Sequence, residues 1–162
     1  MRAAKLKSTV SDWIFVGLLL LAIGGMGVSA YLMWGYTVPG ASLACGGSHG
    51  CEAVKNSDYA SLMGLPLPLI GLATYLTILV LLVLQRQFSS RKSDWLSYII
   101  LGVFGISLTG VLYSAYLTYV ELYVIHAICR WCVMSAAIMA AIFLLSMLNL
   151  QSGLPVTSNV DG

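Results

Sequence analysis

The stretch Ile128-Cys129-Arg130-Trp131-Cys132 opens the last long apolar run of the chain, which continues as VMSAAIMAAIFLLSML over Val133–Leu148. Cysteines at positions i and i+3 of a helix lie on one face, close enough for a disulfide to form and break with little backbone movement. Because a helix is predicted to begin here, the free amide groups of its first turn favour a thiolate. The stretch predicts a redox-active thiol pair at the mouth of an apolar helix, with a metal-bound or inert C-x-x-C as the alternative.

The composition indicates a polytopic membrane protein. Of the 162 residues, 59% are hydrophobic and only 9% are charged, whereas a soluble domain carries about 25% charged residues. The net charge of +2 is small and the basic residues are dispersed, so the sequence gives no indication of nucleic-acid binding.

Four apolar segments are long enough to cross a bilayer of about 30 Å as helices. The predicted spans are Trp13–Trp34, Leu67–Leu84, Trp95–Tyr119 and Ala127–Leu148. The predicted fold is therefore an all-α integral membrane bundle of four transmembrane helices.

The segments around these spans complete the predicted organisation. Residues 1–12 are predicted to be a basic N-terminus, 13–148 a single membrane domain and 149–162 a disordered tail. Glu121–His126 is predicted to be a tight turn between the last two spans. Cys51–Ala60 is predicted to form a short amphipathic helix over the membrane surface, in the first outward loop.

The distribution of basic residues predicts the orientation. Six of the eight lie before the first span or between the second and third: Arg2, Lys5, Lys7, Arg86, Arg91 and Lys92. The opposite side has only Lys55 and Arg130. By the positive-inside rule both termini are cytoplasmic, so both cysteine pairs are expected to face outward, into an oxidising compartment.

The four cysteines form two close pairs, Cys45 with Cys51 in a glycine-rich loop and Cys129 with Cys132 at the helix mouth. This arrangement favours serial thiol–disulfide exchange, from a soluble thiol protein at the loop pair to a lipid-soluble acceptor, a quinone, at the helix pair. One alternative is a membrane structural or binding subunit with two structural disulfides, although a C-x-x-C bridge closes too short a loop to constrain an unfolded chain much.

A metal site is a further alternative. Zinc ligands are available from Cys45, His49, Cys51, Cys129 and Cys132. Because C-x5-C is not a usual zinc knuckle, we predict no metal.

A quinone near Cys132 needs an apolar slot with one or two hydrogen-bond donors. Ser57 is the candidate donor. The candidate walls are Val54, Tyr59, Ile70, Tyr75, Leu117 and Ile125. Simple packing within the bundle also accounts for each of these residues.

Taken together, the motifs resemble the vitamin K epoxide reductase (VKOR) family in its bacterial form, over roughly Trp13 to Leu148. The motifs that carry the resemblance are C-x5-C at Cys45 and Cys51, Ser57-Asp58-Tyr59, Gly64-Leu65-Pro66-Leu67-Pro68, and Cys129-x-x-Cys132 at the start of the fourth span. Their order and distances together are more specific than any one of them.

The resemblance implies a relay in a bacterial inner membrane. A thioredoxin-fold (DsbA-like) protein would deliver electrons to Cys45, and Cys51 would exchange with Cys129. Cys132 would donate the electrons to a ubiquinone, menaquinone or vitamin K type quinone, beside Ser57. Many bacterial relatives carry a fused thioredoxin-like domain for which this chain ends too soon, so a separate partner protein is expected.

Two departures bear on the reaction. The animal enzymes have a tyrosine where this chain has Ala136, and an asparagine that corresponds to Leu67. With both hydrogen-bonding groups missing, quinone reduction is expected rather than epoxide reduction. A DsbB-type oxidase is the alternative enzyme class, but its quinone-facing C-x-x-C comes in the first outward loop and here that motif comes last.

Overall fold

Four long helices carry the architecture, as the composition predicts. The computed structural model of the protein describes residues 2–38, 50–57, 60–62, 64–88 and 95–153. The helices are α1 (Arg2–Thr37), α2 (Gly50–Lys55), α3 (Leu67–Phe88), α4 (Trp95–Val120) and α5 (Arg130–Gly153). Among the described residues, four helical segments are long and apolar enough to cross a membrane: Asp12–Thr37, Leu67–Gln87, Ser97–Ile125 and Arg130–Leu150. The predicted all-α, four-span fold is confirmed.

Helix α1 packs against α3 and α5, and α4 packs against α5 and α3. Their shared interior is filled by a buried apolar cluster of Ile14, Leu18, Ala22, Tyr75, Ile78, Leu82, Val103, Met139 and Ile142. Asp12 and Arg86 form an ion pair of 2.9 Å at one end of the bundle. This contact places the start of the first membrane span and the end of α3 side by side, at the end opposite Cys51, Cys129 and Cys132.

Tyr75 of α3 contacts both α1 and α5. Its ring is buried, and its hydroxyl donates to the Ser135 carbonyl oxygen over 2.9 Å. On α1 the ring lies directly against Gly25, where any side chain would overlap it. Because only glycine leaves room there, Gly25 sets how closely α1 and α3 approach.

The start of α1 and the end of α5 differ from the sequence predictions. Helix α1 extends back to Arg2, so most of the predicted basic N-terminus is helical. Helix α5 extends to Gly153, so residues 149–153 are helical rather than part of a disordered tail. The reason for the longer α5 is a reciprocal amide pair: Asn149 and Gln85 join α5 to α3 at 3.4 and 3.5 Å.

The predicted surface helix is present in shortened form. It covers Gly50–Lys55 instead of Cys51–Ala60. The chain then forms a two-stranded antiparallel hairpin, β1 (Ser61–Leu62) with β2 (Leu65–Pro66), which the sequence analysis did not predict. Gly64 has a φ of 83° in this turn, a conformation that glycine adopts without strain.

Candidate active site

Three of the four cysteines lie at one end of the bundle. Cys51 on α2 and Cys129 before α5 are both buried in one cluster with Val28 and Leu32 of α1, and Cys132 packs against that cluster. Cys51 is disulfide-bonded, whereas Cys129 and Cys132 are free thiols. Helices α1, α2 and α5 thus bring Cys51 of the loop pair together with the helix pair. Cys45 lies outside the described residues.

Cys129 occupies the N-cap position of α5. Its carbonyl oxygen accepts the first intrahelical hydrogen bond, from Val133 N–H at 3.0 Å. Its sulfur accepts the Cys132 N–H at 3.4 Å. A hydrogen bond from the Cys132 thiol, outweighing burial, lowers the pKa of Cys129 below the ordinary thiol value. The helix start is three residues later than the predicted Ala127, and it places Cys129, rather than Cys132, where a thiolate is favoured.

A π-helical turn at Glu121–Ile125 replaces the predicted tight turn at Glu121–His126. Such turns are rare in proteins, and those that occur are often found at functional sites. The turn ends at His126, which has a left-handed conformation with a φ of 54°. The Ala127 N–H then bonds back to the Glu121 carbonyl oxygen at 3.1 Å. The chain therefore folds back on itself and brings Glu121 beside the cysteine motif.

The Glu121 side chain is buried, with 4% of its surface exposed. Its Oε2 accepts the backbone N–H of Cys129 at 3.1 Å. The carboxyl group thus contacts the backbone of the first cysteine of the thiol pair, at the N-cap of α5.

A cavity of about 160 Å³ lies inside the bundle next to these groups. An apolar cavity of ~150 Å³ is enough to hold benzene, so this one has the size of a single six-membered ring. Cys132 and Glu121 are part of its wall. Five of the six predicted wall residues line it: Val54, Ile70, Tyr75, Leu117 and Ile125.

The remaining predicted site residues are placed differently. Ser57 is not part of the cavity wall, and its hydroxyl donates to the Val54 carbonyl oxygen at 2.7 Å. Tyr59, like Cys45, lies outside the described residues. The roles of Ser57 and Tyr59 toward a quinone stay predictions.

Several polar residues of the cavity wall were not predicted from the sequence, among them Tyr36, Tyr113 and Glu121. Within the described part of the chain, neither tyrosine hydroxyl has a hydrogen-bond partner. For Glu121 a signal was available, because an acidic residue inside a long apolar run is by default a candidate functional residue. Assigning it to a tight turn hid that signal. Tyrosines near a span end are ordinary interfacial residues, so Tyr36 and Tyr113 carried no such signal.

The fold and the site together define a class: an integral membrane protein of four helices with a free C-x-x-C thiol pair beside a ring-sized internal cavity. Residues 13–147 match the vitamin K epoxide reductase (VKOR) family. The chain belongs to that family, which confirms the resemblance drawn from its motifs. Membership makes it a multi-pass membrane oxidoreductase.

Proposed function

We propose that the protein is a quinone-linked thiol–disulfide oxidoreductase. It takes electrons from a reduced thioredoxin-fold protein outside the membrane and passes them to a membrane quinone, which leaves the partner oxidised and able to form disulfides in exported proteins. One observation carries the proposal: the two thiols of the C-x-x-C pair have different neighbours. Cys129 is buried in a cluster with Cys51, whereas Cys132 borders the cavity.

The cavity fits the head group of a quinone. It has the volume of one ring, and most of its wall is apolar. Ligand pockets of this kind hold a few polar groups that fix orientation. The hydroxyls of Tyr36 and Tyr113 are available as donors to two carbonyl oxygens. When bound, the quinone supplies a two-electron, two-proton acceptor.

The two departures from the animal enzymes support quinone reduction over epoxide reduction. Ala136 and Leu67 both line the cavity. At each position the animal hydrogen-bonding side chain is replaced by an apolar one. The wall therefore lacks the two polar groups that the animal enzymes have there.

Thiol–disulfide exchange is the step performed by the chain's own residues. Once electron transfer to the quinone has joined Cys129 and Cys132 in a disulfide, a Cys51 thiolate, released when the partner reduces the loop disulfide, attacks the Cys129 sulfur. The Cys129–Cys132 bond breaks, and Cys132 leaves as the thiolate. A second loop thiolate, from Cys45, then attacks Cys51 and releases Cys129. A thiol with a lowered pKa leaves faster, so the hydrogen bond from Cys132 to Cys129 favours this release.

The same proposal includes the orientation. Arg86, one of the six basic residues that set the predicted orientation, lies at the end of the bundle marked by its ion pair with Asp12. Cys51, Cys129 and Cys132 lie at the other end. Placing the basic end in the cytoplasm of a bacterial cell puts the sulfurs on the periplasmic or outer side, where a thioredoxin-fold oxidant operates.

Reconstitution with a quinone and a reduced thioredoxin-fold protein tests the proposal. We expect quinol formation, absent in Cys132→Ala. Cys45→Ala should block the protein donor but leave some turnover with a small dithiol such as dithiothreitol. Val133→Ala, an exposed neighbour on α5, is the matched control and should keep wild-type activity. A pair of purely structural disulfides would show no quinone-dependent change in free thiols.

A further inference from the structure

Glu121 is a buried group that thiol–disulfide exchange does not use. A carboxyl group within a membrane-spanning helix is costly to bury, and the chain forms a π-helical turn that holds this one against the thiol pair. Accepting the Cys129 N–H does not require a carboxylate, since a glutamine side chain or a backbone oxygen accepts the same bond. The acidic group therefore calls for a second role.

We propose that Glu121 is the proton-transfer residue of the site: it accepts the proton of Cys132 when that sulfur is oxidised and releases it toward the substrate oxygen in the cavity. Two observations support this role. The carboxyl group accepts the backbone N–H of Cys129 at the N-cap of α5, and Glu121 and Cys132 both line the same cavity. The proposal rests on the proposed quinone reduction and deepens it.

The proton balance of the reaction leaves one proton to be transferred from Cys132 to the substrate. Starting from a Cys129 thiolate and a Cys132 thiol, formation of the Cys129–Cys132 disulfide releases two electrons and one proton. Reduction of a quinone to its hydroquinone takes up two electrons and two protons. Glu121 passes on the proton of Cys132, and the second proton comes from water at the outer end of the bundle.

The surroundings of Glu121 allow its protonation to change. The titratable groups that face it are Cys129 and Cys132 from α5 and its N-cap, with Tyr36 from α1 and Tyr113 from α4 around the same cavity. From α2, the Lys55 ammonium is bound instead to the Gly35 carbonyl oxygen at 2.6 Å. Among the described side chains no cation pairs with Glu121. The carboxyl group therefore takes and releases a proton without breaking an ion pair.

Glu121→Gln separates this role from a structural one, because the amide oxygen still accepts the Cys129 N–H but the side chain no longer carries a proton. Asp12→Asn is the matched control, since it removes an exposed carboxyl at the other end of the bundle. With dithiothreitol as donor and a short-chain quinone as acceptor, we expect Glu121→Gln to lower kcat by about 100-fold. Asp12→Asn should match wild type, and Glu121→Asp should recover at least part of the loss.

A second measurement does not depend on quinone. Alkylation of Cys129 by iodoacetamide is followed against pH by mass spectrometry, where cleavage after Arg130 places the two cysteines on separate peptides. The Glu121 carboxylate disfavours a nearby Cys129 thiolate, so its removal should move the alkylation midpoint of Cys129 to lower pH. Asp12→Asn should leave the midpoint in place.

The outcomes separate the two proposals. Absence of quinone reduction by the wild-type protein overturns the proposed function. Wild-type turnover with an equally active Glu121→Gln variant overturns the role of Glu121 alone. Lost turnover with an unchanged alkylation midpoint would indicate a structural defect, and this also overturns the role.

Discussion

The two ends of this bundle use the same four helices in opposite ways. At the end marked by Asp12 and Arg86, the interior is filled, and Leu18, Ile78, Leu82, Val103 and Ile142 have no exposed surface. At the cysteine end the helices leave a cavity of about 160 Å³. Well-packed interiors leave few voids, so the cysteine end is less densely packed than the other end.

Polar side chains show the same contrast. In the packed end they bond to one another: the Ser107 and Ser146 hydroxyls lie 3.1 Å apart, and Gln85 pairs with Asn149. Around the cavity the hydroxyls of Tyr36 and Tyr113 have no partner among the described residues. We infer that one end stabilises the fold and that the other end is arranged for a ligand.

Truncating one apolar side chain at each end is the strongest test of this contrast. Ile142→Ala, in the packed end, should lower the free energy of unfolding by about 2–4 kcal/mol, because the new void cannot collapse. Leu117→Ala, in the wall of the existing cavity, should cost less than half as much but raise the KM for quinone. Thermal unfolding in detergent and steady-state kinetics provide both values. Equal destabilisation by the two substitutions would contradict the division of the bundle into two ends.

Much of the packed end was predictable from the sequence. Four apolar segments of sufficient length fix the number of helices, because a membrane leaves few other ways to satisfy the backbone. Their ends were less predictable. The Asn149–Gln85 pair that continues α5 joins residues 64 positions apart, and no local pattern indicates such a contact.

The cysteine end was predictable only in part. The resemblance to the VKOR family implied that Cys51 and Cys129 meet, and the structure places both in one buried cluster. Glu121 was not predicted as a site residue, because it was assigned to a tight turn, although an acidic residue in an apolar run is a candidate functional residue. The direction of its side chain was a separate difficulty, because hydrophobic periodicity assumes 3.6 residues per turn and the π-helical turn departs from that period. The direction of the Glu121 side chain therefore depends on a backbone irregularity that the sequence pattern does not reveal.

The glycines of α1 give a second, smaller test of how tightly the helices fit. Gly25→Ala should destabilise the protein by about 1–3 kcal/mol, because the added methyl group overlaps the Tyr75 ring. A methyl group added at Gly27 would meet no neighbouring atom within 4 Å, so Gly27→Ala should be neutral or slightly stabilising. Melting temperatures in the same detergent compare the two variants. If Gly27→Ala were the more damaging change, α1 would not approach α3 through Gly25.

The smallest expected effect is on the pKa of Cys129. Cys129 and Cys132 affect each other's protonation, whereas the hydroxyls of Ser107 and Ser146 in the packed end only share a hydrogen bond. The hydrogen bond from Cys132 lowers the pKa of Cys129, so Cys132→Ala should raise this pKa toward the ordinary thiol value. The thiolate fraction of Cys129 at pH 7 then falls, and its alkylation by iodoacetamide should slow several-fold. The pKa of Cys129 is lower in the folded state than in the unfolded state. The stability that this hydrogen bond contributes is therefore present above the unfolded-state pKa, and it is lost as the pH falls through the folded-state pKa.

Ser146→Ala, which breaks the serine pair, should leave the alkylation profile of Cys129 unchanged. A profile for Cys132→Ala that coincides with wild type would show that the two sulfurs titrate independently.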